Sequence, residues 1–265
     1  MDVDSPYRLS RDAREAYARD GFVRLSGVFD AETLAHFAPE LTATVEELNT
    51  LHLPMEERTT YEKAFLQVMN LWTRSEAARR FVFGRRLARL AAELMGVRGV
   101  RLYHDQALYK EPGGGHTPWH ADQYYWPLAT DRCCTAWVPL QATPLEMGPL
   151  AFSAGSHRVE VGRGLPISDE SEAEVAKALE KAALPMVEEP FALGEVSFHS
   201  GWTFHRAGDN RTSRTREVMT VIYMDAEMRL AAPRNRNQEI DWETWCPGAA
   251  VGETIATRLN PQLFP

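Results

Sequence analysis

Apolar positions along the chain change their period near residue 97. Before it they recur at steps of three and four, the spacing that lines one face of a helix. Leu34, Phe37, Leu41, Val45 and Leu48 form such a stripe, and Asp30 is placed to cap its start. Ser10 is placed to cap an earlier helix that stops near Gly21, and FVRLSGVF between the two reads as a strand. Ser75 precedes a further helix that carries Phe81, Leu87, Leu90 and Leu94 and is closed by Gly96. Beyond Gly96 the period falls to two. RLYHDQALYK alternates, with Leu102, His104, Gln106 and Leu108 on one face. CTAWVPLQ, PLAFSAG, GEVSFHSG and REVMTVIYMD are further short strands separated by Gly, Pro and Asn.

One helical insertion interrupts the strands. Ser171, with Glu174 three residues on, predicts a capping box before EVAKALEKAAL. The tail from Leu230 is irregular, but Trp242, Trp245 and Phe264 predict that it packs back on the rest. Helices followed by short strands predict an α+β fold on a two-sheet antiparallel barrel or jelly roll. No repeat or linker divides the chain. The reading is one domain over 1–265, with a helical part to about 97, a β core at about 98–228 and a tail at about 229–265.

Composition narrows the function classes. A hydrophobic fraction of 44% and a charged fraction of 25% are ordinary for a globular protein. The net charge of −8 argues against a nucleic-acid partner, which needs a basic surface. No apolar run approaches the roughly 20 residues that span a bilayer, and MDVDSPYRLSRD lacks a basic start with an apolar segment behind it. Cys133, Cys134 and Cys246 contain no CxxC, so free thiols and a cytoplasmic location are expected. The expected partner is a small molecule, and oligomeric state is not legible.

The chemistry concentrates in TPWHADQYYWP. His120 and Asp122 are two apart, so on a strand both leave the same face. Neutral imidazole with carboxylate suits Fe(II), Mn(II) or Zn(II). A rival pair, His116 and His120, has the four-residue spacing of helical zinc sites, but GGG at 113–115 and Pro118 make a helix implausible. A third ligand should come from a later strand, where GEVSFHSGWTFHRAGDN offers His199 and His205. Arg216 opens the apolar strand after them and is suited to grip a carboxylate with both prongs.

Three segments in this order, YHDQALYKEPGGGHTPWHADQYYWP, TAWVPLQATPLEMGPLAFSAGSHR and GEVSFHSGWTFHRAGDNRTSRTRE, resemble the phytanoyl-CoA dioxygenase family of Fe(II)- and 2-oxoglutarate-dependent oxygenases. The resemblance is strong over roughly 100–225. It implies a double-stranded β-helix, or cupin-like jelly roll, flanked by the N-terminal helices. It implies Fe(II) on His120, Asp122 and His205, with 2-oxoglutarate and O2 as co-substrates. Arg216 would hold the distal carboxylate of 2-oxoglutarate, with Gln106 and Trp137 lining its site and Gln67 and Asn70 reaching it from a helix. Some members carry Ser two residues after the distal histidine; Ala207 stands there in this chain, so either another residue supplies that hydroxyl or co-substrate affinity is lower.

The implied reaction is hydroxylation or a related oxidation of a small, largely apolar or aromatic metabolite, releasing succinate and CO2. Asp122 occupies the place where halogenating relatives have a small residue. An isomerase, cyclase or halogenase on the same scaffold, or a silent metal binder, are the alternatives. If the strand continues past Asp122, Tyr124 and Trp126 share its face. With His104 and Trp202 they are the expected substrate contacts, and His199 is a further candidate for the pocket lining. Lys63 and Lys110 are expected to be solvated.

Overall fold

A computed structural model describes residues 1–265. Ser10 caps α1 (Arg11–Asp20) by accepting the Ala13 N–H, and Gly21 ends it with φ of 81°. Only Phe22–Leu25 of the next apolar run is a strand, β1. Asp30 caps α2 (Ala31–Leu48), which buries Leu34, Phe37, Leu41 and Val45 on one stripe. The short α3 (Thr60–Ala64) and β2 (Leu66–Met69) follow. The helix expected after Ser75 is two: α4 (Glu76–Val82) and α5 (Arg85–Met95), broken at Gly84. A Cβ at Gly84 would lie 2.9 Å from the Val3 carbonyl oxygen, because the N-terminal segment crosses there.

The strand region holds β3 (Val100–Tyr109), β4 (Thr117–His120), β5 (Cys133–Pro139) and β6 (Leu150–Ser153). Helix α6 (Asp169–Lys181) is followed by β7 (Met186–Glu188), β8 (Val196–Ser200), β9 (His205–Ala207) and β10 (Val218–Asp225). Helix α7 (Arg236–Trp245) and β11 (Gln262–Phe264) lie in the tail. The capping box of α6 starts at Ser168, which pairs with Ser171, rather than at Ser171 with Glu174.

The strands form two antiparallel sheets. The larger runs β1-β8-β5-β10-β3-β11, with β2 also on β3; the smaller runs β4-β9-β6-β7. This is the jelly-roll architecture, with α2, α4 and α5 packed on the outer face of the large sheet in a 36-residue apolar cluster. A buried leucine there contributes roughly 1.5–3 kcal/mol, so the helical part braces the sheet that carries the cavity. The tail does pack back: Cys246 and Ile255 are buried beside Tyr103 and Ile222, and β11 extends the sheet along β3.

The alternation of β3 is interrupted once. Ile222 faces His104 but Tyr223 faces Leu102, so Tyr103 is an extra residue, a β-bulge. A one-residue insertion reverses which face each side chain takes. Leu102 therefore joins the helix-side core while His104, Gln106 and Leu108 look between the sheets. No helix is long and apolar enough to cross a membrane.

Candidate active site

A cavity of about 320 Å³ opens between the two sheets, roofed by α3, the segment before α6, and α7. His120 ends β4 and His205 begins β9, and the two are paired across the small sheet. After Ala121 the chain leaves the strand for a single 3-10 turn at Asp122–Tyr124. That turn brings the Asp122 carboxylate back to the imidazoles. The Oδ1 atom lies 3.7 Å from His120 Nε2 and 3.6 Å from His205 Nε2. The ligand atoms of His120, Asp122 and His205 all lie within 4.8 Å of one another.

The surroundings aim these donors. His120 Nδ1 lies 2.7 Å from the Pro118 carbonyl and His205 Nδ1 lies 3.0 Å from that of Thr203. A ring N–H donated there fixes the tautomer and leaves each Nε2 lone pair facing the centre. Asp122 Oδ2 accepts from the Thr135 hydroxyl at 2.9 Å and is 3.2 Å from His199 Nε2. One carboxylate oxygen is thus held and the other is free for the cluster. Burial pulls both imidazoles down to about 4, His120 further by the nearby His205, so they are neutral at pH 7. Burial opposes ionisation of Asp122, but the imidazoles around it, His205 first, outweigh that and hold its carboxyl well below the usual range. Two neutral nitrogens and one anionic oxygen, converging in a cavity, are a donor set that fits Fe(II).

The inner end of the cavity carries its single cation. Arg216 is 1% exposed and pairs backbone to backbone with Lys110. Its Nη1 donates to the Gly148 carbonyl, while its Nε has no partner. The guanidinium sits 5.5 Å over the Trp137 ring, whose Nε1–H is also unpartnered. Burial without a countercharge pulls Arg216 down to about 9. Two buried donors without acceptors beside a bare guanidinium fit a carboxylate. Gly148 is left-handed, with φ of 69°, and a Cβ there would lie 2.3 Å from the Gly208 carbonyl oxygen. Only glycine holds that carbonyl on Arg216 without displacing the chain after His205.

Of the residues expected at the site, His104, Gln106, Trp126, Trp137, Gln67, His199 and Arg216 line the cavity together with the triad. Gln67 donates to Gln106 Oε1 at 2.6 Å, but from β2 rather than from a helix. Asn70 does not reach the cavity; it is buried behind β2, where its Oδ1 accepts the Asp105 N–H. Tyr124 also points away, because the turn at Asp122 breaks the alternation; its carbonyl accepts from Gln238 of α7. The next ring, Tyr125, lines the cavity instead. Trp202 stacks outside under Arg163, 4.6 Å from its guanidinium carbon. Lys110 is fully buried rather than solvated: it continues the inward face of β3 past Leu108, and its amine donates to the Gly115 carbonyl. Lys63 is half-buried.

The cavity also takes residues that the sequence did not single out, among them Tyr61, Phe65 and Ile167, and four of them bear on the chemistry. Thr117 stands directly across from Ala207 and offers the hydroxyl that Ala207 lacks. Thr135 is visible only through its bond to Asp122. Asp241 and Trp245 come from α7, whose start is marked in the Pro- and Asn-rich tail only by Asn235 capping Gln238.

A jelly roll with two imidazoles, a carboxylate and a buried arginine around one cavity defines a class, the iron- and 2-oxoglutarate-dependent oxygenases. The family model described as phytanoyl-CoA dioxygenase (PhyH) matches residues 17–218, and the chain belongs to that family. Solved structures agree on the fold. The non-heme α-ketoglutarate-dependent carbocyclase SnoK from nogalamycin biosynthesis superposes with a TM-score of 0.80 at 24% identity, covering 97% of this chain and 99% of that one. The epimerase SnoN, in complex with Fe3+, α-ketoglutarate and nogalamycin RO, gives 0.78 at 26% identity, covering 95% and 97%. EctD from S. alaskensis, with 2-oxoglutarate and 5-hydroxyectoine, gives 0.68 at 22%, covering 89% and 86%. No curated protein sequence matches the chain.

Proposed function

We propose that His120, Asp122 and His205 hold Fe(II), that Arg216 holds the distal carboxylate of 2-oxoglutarate, and that the enzyme oxidises a C–H bond of a small, largely apolar or aromatic metabolite. The observation that carries this reading is the convergence of the three ligand atoms within 4.8 Å in a cavity whose single cation is Arg216. Iron with 2-oxoglutarate and O2 would supply the oxidation, releasing succinate and CO2. The protein's part is placement. Arg216 and Trp137 offer N–H donors to the co-substrate, and the Thr117 hydroxyl stands where Ala207 offers none. Thr135 and His199 hold Asp122 so that one oxygen faces the metal. His104, Tyr125 and Trp126 wall the outer cavity against water and present mainly flat surfaces to the substrate. Asp122 keeps halide from the position it fills, so hydroxylation is the expected outcome. The likeness to the epimerase SnoN, at 26% identity, favours a second outcome, epimerisation. The test is succinate formation from 2-oxoglutarate with added Fe(II), screened against aromatic polycycles, with mass analysis of the product. A mass gain of one oxygen supports hydroxylation. An isomer of unchanged mass supports the second outcome. Succinate release that no candidate stimulates and that iron does not affect overturns the reading.

A further inference from the structure

Helix α7 brings a charged group into the outer cavity that the proposed chemistry does not use. Gln238, Asp241 and Trp245 follow at steps of three and four and share one face. Gln238 ties that face to the Tyr124 carbonyl, so Asp241 and Trp245 are pressed over the cavity. Apart from Asp122, Asp241 is the only acid among the lining residues. Its Oδ2 accepts the Tyr103 hydroxyl at 2.5 Å, and no cation of the protein faces it. Burial pushes its carboxyl up to about 7, against the pull of the Tyr103 hydroxyl and the Trp245 N–H, as an acid held without a countercharge behaves.

Aromatic rings surround it. Trp245 lies 5.5 Å from the His104 ring, and His104 lies 6.2 Å from Trp126. Tyr61 and Tyr125 complete the outer wall. Asp122, Tyr125 and Asp241 line the same cavity, so the two acids share one chamber. Ring faces carry partial negative charge and attract a cation, and a carboxylate in the same site adds a Coulomb attraction. The cavity is therefore polarised: its cation, Arg216, is at the inner end and an acid without a countercharge is at the outer end. A net charge of −8 also favours approach of cations over anions.

We propose that the substrate carries a protonated amine, bound by Asp241 inside a collar formed by Trp245, Trp126, Tyr125 and Tyr61. This names the substrate class for the site and rests on the reading of that site as an iron and 2-oxoglutarate centre. The ammonium anchors the outer end of the molecule, and the body of the substrate extends past Tyr125 toward the triad. Asp241 is a binding residue in this account; it takes no part in breaking the C–H bond.

The test uses the full chain loaded anaerobically with Fe(II) and 2-oxoglutarate. Two near-isosteric probes, phenethylammonium and neutral 2-phenylethanol, are titrated while tryptophan fluorescence is read. The ammonium is expected to bind at least about tenfold more tightly than the alcohol. Asp241→Asn keeps an acceptor for Tyr103 and removes the charge; it should erase that preference while the visible iron–2-oxoglutarate band persists. Trp245→Leu should weaken the ammonium several-fold and the alcohol less. Equal binding of the two probes to the unmodified protein overturns the proposal, and so does an Asp241→Asn variant that keeps the preference. Should Asp241→Asn fail to fold, the probe ratio of the unmodified protein and Trp245→Leu decide alone. A missing visible band with an Asp241-dependent preference would instead sink the iron and 2-oxoglutarate reading and leave the cation site standing.

Discussion

Replacing Arg216 with alanine tests the proposed contact with 2-oxoglutarate. The guanidinium is 1% exposed, carries one backbone bond to Gly148 and forms no ion pair with the protein. Its free Nε and the Trp137 N–H await an acceptor. Truncating one partner of a buried, hydrogen-bonded charge pair costs about 2–5 kcal/mol. As an affinity that is about 30- to 5,000-fold, so the 2-oxoglutarate concentration for half-maximal succinate formation should rise by that factor. Arg216→Lys should rescue little, because a point charge cannot supply two parallel donors. Arg211→Ala and Arg214→Ala serve as controls. Both side chains are exposed, and each should change the curve by less than about 1 kcal/mol. The assay is succinate release against 2-oxoglutarate concentration for the four variants. A near-normal curve for Arg216→Ala would mean that the co-substrate is held elsewhere, and the assignment of the inner cavity would fall.

Four further outcomes follow from the same geometry. His120→Ala, Asp122→Ala and His205→Ala should each abolish turnover and weaken iron binding, read by equilibrium dialysis, while circular dichroism stays native; activity in His205→Ala with metal loss in His199→Ala would transfer the third ligand to His199. Unmodified protein in chloride buffer should give no chlorinated product by mass spectrometry if Asp122 binds the metal as proposed. Gly148→Ala should lower the melting temperature, through about 1–3 kcal/mol of backbone strain, and also weaken 2-oxoglutarate; an unchanged co-substrate curve would separate Gly148 from Arg216. Lys110 gives a pH signature. Burial, helped by Arg216, pulls its amine from 10.5 down to about 6, so the folded chain binds fewer protons than the unfolded one between those values. Stability should therefore rise with pH across that window, and Lys110→Met should flatten the rise in urea melts.

The parts of this account legible in the sequence are those set by local rules. Ser10, Asp30 and Ser75 cap helices because a side-chain oxygen can reach the open N–H groups whatever lies beyond. The order of His120, Asp122, His205 and Arg216 along the chain was also legible, because resemblance to a family conveys order directly. What failed depended on breaks in period. The bulge at Tyr103 and the turn at Asp122 each shift the register by one, and a single shift is enough to send Tyr124 outward and Tyr125 inward. Gly84 splits a helix because a distant segment, at Val3, crosses it. Asp241 and Trp245 were hidden for a different reason: only the docking of α7 gives them a cavity to face, and docking is not written in a ten-residue helix.

The most direct measurement is the visible spectrum of the protein under anaerobic conditions with Fe(II) and 2-oxoglutarate. A keto acid chelating Fe(II) gives a weak charge-transfer band. The band should appear at one equivalent of iron and should vanish in His205→Ala. In Arg216→Ala it should return only at much higher 2-oxoglutarate. A spectrum without the band in the unmodified protein, or a band that persists in His205→Ala, would contradict the assignment of His120, Asp122 and His205 as the metal site.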